Sequence, residues 1–441
     1  MDVNFHSFYI DQEKCDGKMR CLRVCPTEAI RVRRGKALIL EDRCIDCGEC
    51  IKVCPHKAIV PLTNSFTEFS QFEYTGAILS PVLYSQFNRD VTPTDIFNGL
   101  QAIGFDDVID LTPSCESVSI AIQEYLDDNP KSRPIISSFC PTIVRLIQVK
   151  YPDLAGLLLP IDSPMEISAR DWKLQISADK GIKEEKIGAI YITPCPSKMS
   201  AIKHHPRKRL TFLDGAISIQ DIYNPLLSVL SKSEQKNIES GKDVKYGVGL
   251  AWAILGGQAK FLKAENSVAV GGIHHVIQIL DDIESGKIKD IDYVECHACI
   301  EGCIGGSLTV DNPYVSRSNI LHLLKIYGEE FSQDENKIKT LYRSGYFSLD
   351  EELDSYPIQP LDQDLAKSIR KMKKKEEIFQ ELPQLNCGLC GSPTCMTFAE
   401  DVIRGTALIT DCMFKSFKQS RSQVRDFYES MVKNTLPQIG K

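Results

Sequence analysis

Seventeen cysteines in a chain of 441 residues, and above all their spacing, constrain this sequence more than any other feature. Twelve of them fall in tight groups at positions 15–54, 299–303 and 387–395, with two to five residues between neighbours except across the gap from Cys25 to Cys44. Such intervals let several thiolates converge on one metal centre. A disulfide scaffold is the competing reading, but such scaffolds are small and an odd count leaves one thiol unpaired. A chain this long, 43% of it hydrophobic, is expected to form two or three domains with cores of their own and to fold without disulfides. Its net charge of -7 lacks the broad basic field that nucleic acid or anionic lipid requires, so neither is expected as a partner. Met1 to Gln12 shows no basic flank followed by an apolar stretch, and no run approaches the length of a membrane span. A cytoplasmic location is expected.

Residues 1–62 contain a duplication. Cys21-Leu-Arg-Val-Cys25-Pro-Thr-Glu-Ala-Ile repeats as Cys50-Ile-Lys-Val-Cys54-Pro-His-Lys-Ala-Ile, so two copies of one small unit are expected. The second copy, Cys44-x2-Cys47-x2-Cys50-x3-Cys54-Pro, has the spacing of a bacterial two-cluster ferredoxin, in which the fourth cysteine crosses to the other cluster. In the first copy, Cys15-x5-Cys21-x3-Cys25-Pro, Lys18 stands where the second ligand belongs, and an ammonium cannot coordinate iron. The crossing rule assigns a complete 4Fe-4S cluster to Cys25, Cys44, Cys47 and Cys50, and an incomplete site to Cys15, Cys21 and Cys54. Resemblance to seven-iron ferredoxins implies a 3Fe-4S cluster there, or a 4Fe-4S cluster finished by water or Asp16; an empty structural remnant is the alternative.

From about 70 to 345, short apolar runs such as Gly76–Leu79, Pro134–Ile136, Ile187–Ile192 and Val268–Val270 alternate with stretches of helical periodicity. That alternation reads as a mainly parallel α/β sheet. Three motifs follow strand-like runs, where ligand sites collect in open parallel sheets. They are Ser137-Ser-Phe-Cys140-Pro, Thr193-Pro-Cys195-Pro-Ser-Lys198, and Glu295-Cys-His-Ala-Cys299-Ile-Glu-Gly-Cys303-Ile-Gly-Gly306. Beyond an acidic, proline-containing linker at 346–362, Leu365, Ile369, Met372, Phe379 and Leu382 mark an amphipathic helix with a basic face at Arg370–Lys375. That face reads as solvated, with docking of an acidic partner as the alternative.

The three motifs resemble the signature loops of FeFe-hydrogenases. The resemblance implies that Cys140, Cys195, Cys299 and Cys303 hold a cubane, with Cys303 bridging to a two-iron subcluster, and that Lys198 hydrogen-bonds to a cyanide ligand. Gly305 and Gly306 are expected to bring backbone close to the cofactor. Departures are equally informative. The relay cysteine of proton-reducing members is Phe139 here, and a phenyl ring carries no proton. Further along that relay, Leu159 stands for a serine, Glu116 matches the first of two glutamates and Ser119 replaces the second. Two methionines that pack on the two-iron unit give way to Thr193 and His297, which is expected to make the pocket more polar. His297 is open to two readings, a substitute proton carrier or, the favoured one, a histidine that hydrogen-bonds to its neighbours without transfer. Packing is the default for Cys115 and Cys296.

Cys387-x2-Cys390-x4-Cys395-x16-Cys412 supplies four thiolates around the helix-like stretch Met396–Leu408. This resembles the small iron–sulfur domain of corrinoid and acetyl-CoA pathway proteins and implies a 4Fe-4S cluster, a structural zinc being the competing reading. The expected fold class is α/β: a ferredoxin-like two-cluster domain at 1–62, a mainly parallel α/β hydrogenase domain at 70–345, and a small helical iron–sulfur domain at 363–425 with a tail at 426–441. The substitutions resemble the sensory branch of the family. That implies slow turnover of hydrogen and protons, electron exchange with a redox partner such as ferredoxin, and a redox state read by a kinase or phosphatase. A cluster carrier lacking the two-iron unit is the alternative.

Overall fold

The computed structural model describes residues 6–130, 133–203, 211–231, 247–349, 358 and 360–416. The stretch at 350–357 within the expected linker, the end of the expected C-terminal domain at 417–425, and the tail at 426–441 lie outside the described residues. The chain groups into two units: one formed by 1–9, 45–52 and 60–357, the other by 10–44, 53–59 and 358–441. Residues of the expected 1–62 domain are thus shared between them.

In the first unit, short apolar runs form strands β1 (Tyr74–Leu79), β2 (Asp107–Asp110), β3 (Ile135–Ile136), β4 (Ile187–Thr193), β5 (Gly215–Ser218), β6 (Ser267–Gly271) and β7 (Tyr293–His297). They build two sheets, ordered β2-β1-β4-β5 and β6-β7-β3, with every pairing parallel. In register, Ala77 lies opposite both Val108 and Ile190. β4 is buried along its whole length, as a parallel strand covered on both faces must be. Successive side chains then divide between two cores. Ala189 and Tyr191 pack with Leu111, Trp172 and Tyr293 on one face, while Ile190 and Ile192 pack with Leu83, Ile96 and Leu226 on the other. Each fully buried aliphatic side chain of this kind contributes about 1.5–3 kcal/mol. Gly76 lets a helix approach β1 closely, since a Cβ there would lie 2.4 Å from the Trp172 ring.

The duplication is visible in the backbone. Left-handed residues recur at matching places in the two copies: Gly17 (φ 71°) with Asp46 (52°), Met19 (59°) with Gly48 (75°), and Glu28 (52°) with Lys57 (49°). After the last cysteine of each copy, the amide four residues on donates to its sulfur, Ala29 to Cys25 Sγ at 3.2 Å and Ala58 to Cys54 Sγ at 3.3 Å.

The second unit also contains the hairpin Ile30–Arg33/Lys36–Ile39 and helices Leu365–Glu381 and Cys395–Ile403. The terminal helix is shorter than the expected Met396–Leu408, because Gly405 turns left-handed at φ 75°. Helix Leu365–Glu381 buries less than its stripe suggests. Ile378 and Phe379 pack against Leu382 and Phe398, whereas Leu365, Ile369 and Met372 are exposed.

Candidate functional site

The carboxyl ends of β1, β2, β3, β4 and β7, with the segments that follow them, deliver Ser80, Leu111, Phe139, Lys198 and His297 to one cavity of about 490 Å³, with Cys303 in its wall. All seventeen cysteines are free thiols. Cys140, Cys195, Cys299 and Cys303 converge in this unit. Burial pushes Cys195 up to about 12; Lys198 opposes that, and the neighbouring Cys303 and Cys140 reinforce it. Burial likewise raises Cys299 well above an ordinary thiol, Lys52 opposing and Cys195, Cys140 and Cys303 adding to the rise. Thiols that make one another costly to ionise are the donor set that a cationic metal centre stabilises as thiolates. The arrangement therefore fits a cluster held by four cysteines.

Cys303 differs from the other three. Burial alone would raise it, but Lys198 and a hydrogen bond from His297 overcome that and bring it down to about 7. Lys198 Nζ donates to Tyr191 Oη at 3.0 Å. Burial would lower the Lys198 ammonium, yet Tyr191, Cys303 and Cys195 outweigh it and hold the group well above its ordinary value. His297 Nδ1 lies 3.9 Å from Cys303 Sγ and its Nε2 lies 2.9 Å from Glu295 Oε1. Glu295 is fully buried and accepts from the amides of Gly256 (2.9 Å), Gln258 (3.0 Å) and Ala259 (2.8 Å). Burial would lower His297, but its bonds to Cys303 and Glu295 raise it well above the usual imidazole range.

One expectation is corrected by this geometry. Thr193 does not line the cavity; its hydroxyl donates to the Cys195 carbonyl at 2.8 Å and accepts from the Cys195 amide at 3.3 Å, folding its own loop. Gly305 and Gly306 also leave no room for a side chain, since a Cβ would lie 2.1 Å from the Ile300 carbonyl oxygen and 2.2 Å from that of Pro194. Glu116 is buried but turned away from the cavity lining, its carboxylate accepting from the Ser332 hydroxyl at 2.9 Å and from the Ser332 and Gln333 amides. Between them, Phe139 packs on Trp252 with ring centroids 4.9 Å apart, and Trp252 Nε1 donates to Ser119 Oγ at 2.9 Å. Cys115 packs in a hydrophobic core and also lines the cavity, and Cys296 is packed in another core.

In the second unit, Cys15, Cys21 and Cys54 line one cavity of about 330 Å³ together with Asp16, Lys18 and His56. Burial raises Cys21 to about 11, and Cys15 and Cys54 add to the rise. Asp16 is shared by His56 at 2.8 Å and Lys18 at 3.4 Å. Cys387, Cys390, Cys395 and Cys412 line another cavity, of about 340 Å³. Left-handed Asn386, Gly388 and Gly391 wrap that loop, and the Asn386 side chain accepts from the Cys395 amide at 2.8 Å. Cys25 and Cys44 belong to the second unit, Cys47 and Cys50 to the first. In the first unit Lys52 feels both Cys299 and Cys47, whose charges, with that of Glu49, overcome burial and raise it.

Family models match three stretches: a 4Fe-4S dicluster domain at 7–55, the iron only hydrogenase large subunit, C-terminal domain at 73–227, and an Fe-S cluster family at 382–414. Among solved structures, a variant of apo FeFe-hydrogenase HydA1 from Chlamydomonas reinhardtii aligns with a TM-score of 0.52 at 15% identity, over 66% of this chain and 99% of that one. The chain is an FeFe-hydrogenase-like iron–sulfur protein. This hydrogenase-like chain is 21% identical to Iron hydrogenase 1 of Clostridium pasteurianum over 301 residues, spanning 57% of itself and about half (51%) of that relative. Its last module is 45% identical over 40 residues to the corrinoid/iron-sulfur protein large subunit of Moorella thermoacetica. The iron–sulfur reading of the terminal cysteines is thereby favoured over zinc. Among the described residues of the hydrogenase-like chain, no helix is long and apolar enough to cross a membrane.

Sequence reasoning assigned no role to Glu295 or Tyr191. The signal for both was a polar group within a fully buried strand, which demands a partner.

Proposed function

We propose that this hydrogenase-like chain holds a 4Fe-4S cubane on Cys140, Cys195, Cys299 and Cys303, with a two-iron subcluster joined at Cys303. The observation that carries the reading is the pairing of Cys303 with Lys198 at one cavity wall, a thiolate poised near neutrality beside a cation. When bound, the six-iron cofactor would supply cleavage and formation of hydrogen. Lys198 donates hydrogen bonds to anionic ligands, and Tyr191 fixes where its ammonium points. His297, anchored by Glu295, presents a second donor toward Cys303. Phe139 and Trp252 fill the wall with apolar rings, so no thiol at 139 moves a proton and turnover is slow. When bound, the accessory clusters would carry electrons singly to a redox partner such as ferredoxin, and slow turnover suits sensing of hydrogen or redox state.

The second reading, a cluster carrier without the two-iron unit, is favoured by Phe139 and by the altered methionine positions, Thr193 and His297, while Lys198 and Cys303 speak against it. Hydrogen–deuterium exchange by protein matured with the two-iron unit separates the two. Exchange above the level of unmatured protein supports the first reading, and exchange at that level supports the second.

A further inference from the structure

The incomplete cysteine site and the terminal cysteine site meet across one residue of the hairpin. Val32 lines the cavity of Cys15, Cys21 and Cys54. Its amide donates to the Gly391 carbonyl at 2.8 Å, beside Cys390. The approach leaves no room for a side chain, since a Cβ on Gly391 would lie 1.8 Å from the Val32 carbonyl oxygen. A second contact joins the residues next to Cys21 and Cys387, where a Cβ on Gly388 would lie 3.4 Å from Leu22 Cδ2. Arg33 clamps the junction. It donates to the Cys390 carbonyl at 3.1 Å, to Ser392 Oγ at 2.9 Å and to Asp401 Oδ2 at 2.8 Å. Arg31 reaches the same carboxylate oxygen at 2.6 Å, and Thr397 donates to Glu28 at 2.8 Å. So many directional contacts define a built joint between two cluster sites.

We infer that the clusters held at these two sites are a directly coupled redox pair joined through Val32 and Gly391, and that Arg33 is a positioning residue that sets the potential of the terminal one. The inference rests on the reading of both sites as iron–sulfur and not on the two-iron subcluster. In the step itself one electron crosses the junction, so the cluster on one side is oxidised by one and that on the other reduced by one. No bond forms or breaks and no proton moves. A fixed cation beside the terminal site favours the more negative, reduced state there, because the Arg33 guanidinium is always charged. Removing it makes reduction harder.

The test is electron paramagnetic resonance of the full chain, anaerobically reconstituted and reduced, without the two-iron unit. The expected result is a broadened, split spectrum from which the coupling to the terminal cluster is lost in Cys412→Ser, while any splitting among the remaining clusters stays. Redox titration of Arg33→Gln is expected to move only the terminal cluster to more negative potential, while Arg33→Lys retains most of the native value. A wild-type spectrum equal to the sum of uncoupled signals at full iron and sulfide content overturns the coupling. An unchanged titration for Arg33→Gln overturns the role of Arg33. Zinc at the terminal cysteines overturns both. Loss of the infrared signature of the two-iron unit leaves the inference standing, so the two failures are distinguishable.

Discussion

His297 is held by Glu295, Nε2 to Oε1 at 2.9 Å, in a carboxylate that also receives three backbone amides. The Gly256–Ala259 turn, the β7 carboxylate and the cavity imidazole are one hydrogen-bonded assembly. Glu295→Gln turns one acceptor oxygen into an amide that faces backbone donors. The variant is expected to lose about 1–3 kcal/mol of stability, the cost of unpaired buried polar groups. Chemical denaturation monitored by tryptophan fluorescence checks it, Trp252 lying on the same wall.

Cys303 sits at about 7 because Lys198 and His297 overcome burial. A thiol whose value is lowered is ionised at a pH where an ordinary thiol, near 9, is still protonated. In iron-free protein, alkylation at Cys303, followed by peptide mass analysis, should rise through a midpoint near 7. In Lys198→Gln the midpoint should move upward, since the largest opposing charge is gone. An unchanged midpoint would show that Lys198 does not act on the thiol.

Phe139→Cys restores a thiol to the cavity wall. If proton delivery limits turnover, hydrogen evolution by the matured variant should rise by about 10²-fold, the lower end of what a positioned acid–base group contributes. Phe139→Ala removes the ring without adding a proton carrier and should give no such gain. Equal rates in the two variants would place the limit elsewhere.

Asp401 receives both Arg31 and Arg33, and Arg31 is only 3% exposed. Asp401→Asn leaves a buried guanidinium without its counter-charge, at a cost of about 3–5 kcal/mol in the second unit. Replacing the pair by Arg31→Met and Asp401→Leu together should recover much of that. Thermal unfolding of the wild type and the two variants measures it.

The central strands were legible because parallel strands covered on both faces read as continuous apolar runs, as Ile187–Thr193 does. Strands β2 and β5 were not, since Asp107–Asp110 and Gly215–Ser218 carry too few apolar residues to stand out. The cysteine motifs pointed to the loops, and the loops do bring Cys303, Lys198 and His297 to one cavity. Long-range pairing was hidden: nothing local in Arg31, Arg33 or Asp401 says that a hairpin near the start of the chain binds a helix some 370 residues away. Likewise Thr193 read as a pocket residue because its hydroxyl's use on the Cys195 loop depends on backbone geometry. Cys115, read as packing, does pack in a core, and it also touches the cavity because it lies in the first turns of helix Thr112–Asp128.

The account stands or falls on whether Cys303, beside Lys198, carries the two-iron subcluster. Infrared spectroscopy of the protein matured with the two-iron unit reads this directly. Carbonyl and cyanide bands are expected in the wild-type protein, lost in Cys303→Ser and displaced, in the cyanide region above all, in Lys198→Gln. Fully reconstituted cubane without any carbonyl or cyanide bands would contradict it.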